Sequence, residues 1–245
     1  MIVPIVLHRV VKSNCIDFED ITITSFKRIV SQDSNKYISV EDVSEEAIKS
    51  KEKYYLITFD DGYLSDYYLV YPILKQKNIR ATFFINPSTV GSDGHVSWDM
   101  VREMKEHGMC IESHSYSHPD MTKISLDNAK QELINSKKAI AKEIKVDVFY
   151  FSFPFGFYSK KLVDLAIDCG YQKCFVSSHG VYDLGSSTIH RNSINKTMGL
   201  CDIDAILNCS IGIRLKWKFE DIIKHFLKNF FGVKFYTYLR KAVLE

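Results

Sequence analysis

Two carboxylates stand side by side in Thr58-Phe59-Asp60-Asp61-Gly62, where the apolar run Tyr54 to Phe59 breaks into a glycine turn. A run this rich in β-branched and aromatic residues reads as a buried strand. In parallel α/β folds the loops beyond the C-terminal ends of strands carry the chemistry. Adjacent acids are also common on exposed turns, so the pair is a candidate site and no more on its own. About fifty residues on, His114 and His118 follow a second short apolar run, Met109 to Glu112. Histidines four apart reach the same side of a helical turn. Neutral imidazoles suit a borderline divalent metal, and a carboxylate from elsewhere would complete a three-ligand site with an open position able to activate water. The competing reading is that one histidine caps the following helix and the other is solvated.

Taken in order, Thr58-Phe59-Asp60-Asp61-Gly62, Ala81-Thr82-Phe83-Phe84-Ile85, Val96-Ser97-Trp98-Asp99, Glu112-Ser113-His114 with Ser117-His118-Pro119, and Phe153-Pro154-Phe155-Gly156-Phe157-Tyr158-Ser159 resemble the polysaccharide deacetylase family, also called the NodB-homology or carbohydrate esterase 4 domain. The resemblance spans roughly residues 1 to 195. It implies Asp60 as general base, and Asp61, His114 and His118 as ligands of a divalent metal, with zinc first and cobalt or nickel as alternatives. It also implies substrate contacts from Phe153, Pro154, Phe155, Gly156 and Tyr158, with backbone N–H groups of that loop stabilising an oxyanion. The division of labour between the two acids follows from chemistry. A carboxylate on a metal is neutralised and fixed, while its neighbour must stay ionised to take a proton from water.

The chain departs from the usual pattern of that family in two places. No Leu-x-His motif supplies the proton donor near the end of the domain, so His8, at the end of the run Ile2 to Leu7, and His190 are both candidates, with His8 favoured. No arginine precedes Pro154 to orient the base, which leaves Arg191 or Arg9 as the charge partner of Asp60.

The elements that must position these groups follow an α/β rhythm. Strand-like runs at 2–7, 54–59, 81–86, 109–113, 148–153 and 173–177 alternate with helical patterns. Ser97, Ser125 and Ser159 read as N-caps. The helix after Ser125 carries an inner stripe of Ala129, Leu133, Ser136, Ile140 and Ile144, and the one after Ser159 carries Leu162, Leu165 and Ile167. Such alternation argues for a parallel sheet wrapped by helices, and the resemblance implies a distorted (β/α)7 barrel. At 245 residues and 46% hydrophobic content the chain can bury one large core. A single catalytic domain over residues 1–212 is expected, with residues 213–245 as a C-terminal extension.

That extension holds eight cations against three acids, a net +5 that leaves the rest of the chain at −3. Large aromatics are interleaved with the cations, from Trp217 to Tyr238. This is the composition of an interfacial amphipathic helix, or of a final helix packed on the barrel with lysines snorkelling outward; dimerisation is a third use. No run is long enough to span a bilayer, and no base-reading motif accompanies the cations to suggest nucleic acid. The six cysteines form no Cys-x-x-Cys pair and read as reduced core thiols. The N-terminus shows no secretion signal, so the expected location is the cytoplasm, with peripheral contact at the inner face of the membrane as the added option.

The expected function is therefore metal-dependent N-deacetylation of an amino sugar, lipid-linked, nucleotide-linked or within an oligosaccharide, in the making of a cell-surface glycan. Hydrolysis of a non-sugar amide or an ester is the alternative on the same fold. A catalytically inactive glycan-binding or scaffold module is the alternative of another class.

Overall fold

Every residue of strand β1 (Ile2–Leu7) is buried, as are six of the seven in β2 (Tyr54–Asp60). Strands covered on both faces read as continuous apolar runs, which is the mark of a parallel sheet rather than a half-exposed antiparallel one. In the computed structural model, which describes residues 1–49 and 52–217 together with 219 and 222, β1 and β2 pair in parallel from Ile2↔Tyr54 to Leu7↔Phe59. The sheet continues through β3 (Thr82–Ile85), β4 (Cys110–Ser113), β5 (Tyr150–Ser152) and β6 (Lys173–Val176), all parallel.

One short segment joins the two edges. Thr188–His190 pairs with β6, while Asn192–Ser193 pairs with β1. The same stretch of chain is thus the seventh stave, and it brings the sheet round into a nearly closed parallel α/β barrel with Arg191 at the join. The barrel is distorted by a short extra strand, Tyr37–Ile38, that pairs with β2 off the main path.

Helices α1 (Ile23–Ile29), α2 (Tyr71–Gln76), α3 (Trp98–Glu106), α4 (Leu126–Ile144), α5 (Lys160–Asp168) and α6 (Leu200–Leu207) accompany these staves. Ser97, Ser125 and Ser159 each accept a hydrogen bond from a first-turn amide, satisfying one otherwise orphaned N–H. The inner stripe of α4 is the one its spacing gave, from Ala129 to Ile144. In α5 it is not. Leu162, Val163 and Ala166 are buried there, whereas Ile167 is exposed, because at about 100° per residue Ala166 and Val163 lie about 40° and 100° round from Leu162 and Ile167 about 140°.

Strand parity divides the barrel into two apolar compartments. Val3, Ile5, Ile57, Phe59, Phe83, Ile111 and Phe151 point outward against helical residues such as Leu133 and Leu162. Ile2, Leu56, Phe84, Cys110, Phe175 and Ile189 fill the lumen, with Val40 and Tyr182 packed among them. Successive side chains on a strand face opposite ways, so the lumen-facing series continue Leu56-Thr58-Asp60, Cys110-Glu112-His114 and Ile189-Arg191. Their last members meet at the C-terminal mouth.

The core does not stop at residue 212. Ile213 and Trp217 are buried in the outer compartment, in a helical stretch over residues 211–217. Most of the 213–245 extension otherwise lies outside the described residues.

Candidate active site

Asp60 is the final residue of β2, 2% exposed, and Arg191 is fully buried beside it. The guanidinium grips the carboxylate with both arms, Nη1 to Oδ1 and Nη2 to Oδ2, each at 2.7 Å. Nη1 also donates to Thr58 Oγ1 at 3.1 Å, and Nη2 to Ser152 Oγ at 2.7 Å. Ser152 in turn donates to Asp60 Oδ2 at 3.0 Å. Phe84 and Phe175 lie under the guanidinium at 5.4 and 5.7 Å from its carbon. Burial alone would raise the Asp60 carboxyl, but Arg191, then His114, outweigh it and hold the group below its ordinary value.

Asp61 turns the other way because its backbone does. It adopts φ 77° and Gly62 follows at φ 68°. The positive φ is what the turn needs glycine for, and a Cβ there would also press on the tip of the Ile85 side chain at 2.9 Å. Asp61 Oδ1 then lies 3.4 Å from His114 Nε2 and 3.3 Å from His118 Nε2. Ser115, His118 and Phe155 also hold positive φ. Four of the seven non-glycine residues in that region among the described residues thus sit at this site; strain gathered in one place marks a functional centre.

The imidazoles are oriented by the groups behind them. His114 Nδ1 donates to the Ser152 carbonyl at 2.8 Å, which leaves Nε2 facing Asp61. Asn86 donates to the His114 carbonyl. The loop between the histidines is fastened by Glu132 of α4, which accepts from Tyr116 N at 2.9 Å and from Ser117 N and Oγ at 2.7 Å each. Burial, followed by the neighbouring His114, pushes His118 down to about 4, so it stands neutral at pH 7 and available as a ligand. Two imidazole nitrogens and one carboxylate oxygen, all within 4.8 Å of one another, are a fit donor set for a divalent metal. A second grouping of ligand-type side chains, Glu41, Cys110 and Glu112, is already satisfied: Arg80 and Lys105 pair with Glu41, and the Phe149 and Tyr150 amides donate to Glu112.

A cavity of about 540 Å³ opens over Asp60, Asp61, His114 and His118. His8 lines it, with Nε2 3.4 Å from Glu19 and with Nδ1 buried and unpartnered. His190 is not among its walls. Parity turns that residue away from the lumen, between Ile189 and Arg191, and its Nδ1 meets Ser178 Oγ. Arg9 is likewise engaged elsewhere, at 2.8 Å from buried Asp20 and 2.5 Å from Asp17, and takes no part in holding Asp60.

The aromatic loop after β5 divides in the same fashion. Phe155 and Gly156 face the cavity, joined by Phe157, while Phe153 and Pro154 are buried and Tyr158 is exposed outside it. Gly156 passes so close to Ser177 that a Cβ would meet its backbone nitrogen at 2.8 Å.

Reading the sequence alone misses Ser152, Asn86, Glu132 and the cavity's far wall of His179, Asn195, Asp202 and Lys216. Ser152 had a signal, since it precedes Phe153 at the end of a strand. Glu132 had none, because nothing in a helical repeat reveals which loop a polar residue will meet.

The family model described as Polysaccharide deacetylase matches residues 47–174, just over half of the chain, and these residues include Asp60, Asp61, His114 and His118. The chain belongs to the polysaccharide deacetylase family. The YxkH protein of Bacillus subtilis (strain 168) is 32% identical over 152 residues, covering 61% of this chain and 54% of the relative. PdaA of the same organism, a peptidoglycan-N-acetylmuramic acid deacetylase, is 32% identical over 133 residues, covering 52% of this chain and 48% of its own length. The chain thus spans about half the length of these curated relatives. Among solved structures, the Streptococcus pyogenes deacetylase PplD in complex with acetate superposes with a TM-score of 0.73 at 20% identity, covering 84% of this chain and 97% of that one. At that identity the likeness concerns the fold, and it agrees with the nearly closed parallel barrel of this polysaccharide deacetylase family member.

Proposed function

We propose that this chain is a metal-dependent hydrolase that removes the N-acetyl group of an amino sugar in a cell-surface glycan or its precursor. The observation that carries the reading is the division of two adjacent carboxylates. Asp60 is locked to Arg191 and Ser152, whereas Asp61 faces His114 and His118.

Asp61, His114 and His118 would hold the metal, with Zn²⁺ suited to two imidazoles and one carboxylate and Co²⁺ or Ni²⁺ as alternatives. Bound there, it would supply Lewis acidity to the acyl oxygen and lower the pKa of water. Asp60, kept ionised by Arg191, is the base that takes the water's proton. Its Oδ2 lies 3.8 Å from His114 Nε2, so base and ligand set share one small space.

The loop after β5 narrows the choice of oxyanion donor. Its Phe153, Gly156 and Phe157 amides donate to Phe175, Phe153 and Pro154 carbonyls respectively. The Phe155 amide makes no such bond among the described residues, and its side chain lies on His118 with ring centroids 4.6 Å apart. Phe155 is therefore the donor best placed to meet negative charge on the acyl oxygen. His8, on the opposite wall, is assigned the proton that the departing amine requires.

The test is acetate release by the zinc-loaded chain across N-acetylated amino sugars that are free, nucleotide-linked, lipid-linked or polymeric, with acetyl-xylan as the ester control. Release from an N-acetylated sugar supports the reading. Release from the ester alone, or from none of them, rejects it.

A further inference from the structure

After α6 the chain enters the helical residues 211–217, and this stretch has two apolar faces where one would suffice. Ile213 and Trp217, four residues apart, are buried in the core, and the Trp217 ring lies flat against His179 with centroids 5.3 Å apart and planes 5° apart. On the other side Ile211, Leu215, Phe219 and Ile222 are 78%, 63%, 65% and 59% exposed. At helical spacing these four fall within an arc of roughly 80°, the width of one stripe. The sequence keeps the same three- and four-residue spacing through Phe226, Phe230 and Val233.

Single exposed apolar residues are ordinary, but several in helical register form a patch that water does not favour. The barrel has no further need of this stripe, because Ile213 and Trp217 already anchor the opposite face. Its neighbours are cationic. Arg214, Lys216 and Lys218 occur within residues 211–222 against Glu220 and Asp221, and residues 213–245 as a whole carry a net +5.

We propose that this stripe docks on an anionic membrane surface, with the apolar side chains entering the interface and the flanking cations meeting acidic headgroups. Charge selects this occupant over a second copy of the chain. A twofold contact along the stripe would set each copy's cations beside the other's, whereas anionic headgroups neutralise them. Among the described residues no helix is long and apolar enough to cross a membrane, so the contact is one of lying on the surface. Lys216 of this stretch also lines the catalytic cavity, so docking brings the cavity mouth close to the interface. The proposal does not depend on which reaction the cavity performs.

The experiment is co-sedimentation of the full chain with vesicles of phosphatidylglycerol in phosphatidylcholine, compared with phosphatidylcholine alone. The wild type is expected to sediment with the anionic vesicles and to be released by high salt. Leu215→Glu with Phe219→Glu is expected to lower the bound fraction about tenfold or more while the melting temperature holds. Should that variant melt early, Arg214→Gln with Lys218→Gln leaves the stripe intact and is expected to weaken binding to the anionic vesicles several-fold. A wild type that stays in the supernatant overturns the proposal, as does a folded variant of either kind that binds like wild type. A vesicle-free dimer in sedimentation velocity that Leu215→Glu dissociates, with no vesicle binding, assigns the stripe to self-association instead.

Discussion

Arg191 reaches Asp60 across 131 residues of sequence and holds both of its oxygens at 2.7 Å in a fully buried fork. The arginine is placed by barrel closure itself, lying between the half-stave that pairs with β6 and the half-stave that pairs with β1. It provides the positive charge for which the stretch before Pro154 has no arginine.

Removing that charge takes away the largest opponent of burial at Asp60. In Arg191→Met the Asp60 carboxyl rises, so the base protonates at higher pH and the acidic limb of the kcat profile moves upward. A fall in kcat on the order of 10²-fold is expected at neutral pH. Stability falls as well, by about 3–5 kcal/mol, because a buried carboxylate loses its partner. The wild-type ion pair stabilises above the unfolded carboxyl pKa and is lost as pH falls through the depressed folded value, so the deficit narrows toward acid. A pH–rate profile with an unmoved acidic limb would remove Arg191 from the mechanism.

Ser152 ties the proposed base to the proposed ligand set through two different atoms. Its hydroxyl joins Arg191 and Asp60, while its carbonyl accepts from His114 Nδ1. Ser152→Ala removes the first link and spares the second. The expected result is roughly a tenfold fall in kcat and a loss of about 1.5–3 kcal/mol in stability, typical of hydrogen bonds to charged groups. Metal affinity, read by competition with a chromogenic chelator, should not change; a large loss of metal would mean that the hydroxyl supports the ligands instead.

The two candidate proton donors separate cleanly by position. His8→Ala is expected to lower kcat on the order of 10²-fold with metal content unchanged, whereas His190→Ala should stay within about twofold of wild type. Equal losses, or a loss confined to His190→Ala, would contradict the assignment.

Asp66 offers a test of stability rather than rate. It lies in a single π turn, Asp66–Val70, with both carboxyl oxygens buried and unpartnered. Burial, then the charges of Asp61 and Asp60, hold its pKa well above the ordinary carboxyl value. The folded state therefore keeps a proton that the unfolded chain has lost. This contribution is complete below the unfolded pKa near 3.9 and is withdrawn as pH rises toward the folded one. Melting temperatures of wild type should fall from pH 5 to pH 8 relative to Asp66→Asn. Parallel curves would show that Asp66 is ionised throughout or more solvated than its position indicates.

Much of the fold was legible because period and burial agree. Ile2 to Leu7 and Tyr54 to Phe59 are continuous apolar runs, and the structure buries both faces of each. Ser97, Ser125 and Ser159 stood where caps stand. The α5 stripe was misread at Ile167, since three apolar residues in a short helix fit more than one face. At the site, the types and spacing of Asp60, Asp61, His114 and His118 made them candidates, and the ordered run of motifs that resembles the family singled them out. Their second layer was not, because Glu132, Asn86 and Ser152 act through contacts set by loop paths. Arg191 was visible as a charge in search of a partner. Its bidentate hold on Asp60 depends on closure of the barrel, which no local pattern encodes. His190 looked eligible by sequence position and is turned out of the lumen by strand parity.

In the proposed mechanism Asp60 acts as base while Asp61, His114 and His118 hold the metal. Metal content and acetate release measured in parallel on Asp60→Asn test this division most directly. The expected result is a full complement of metal with turnover reduced by on the order of 10³-fold or more. Turnover near wild type, or loss of the metal along with activity, would contradict it.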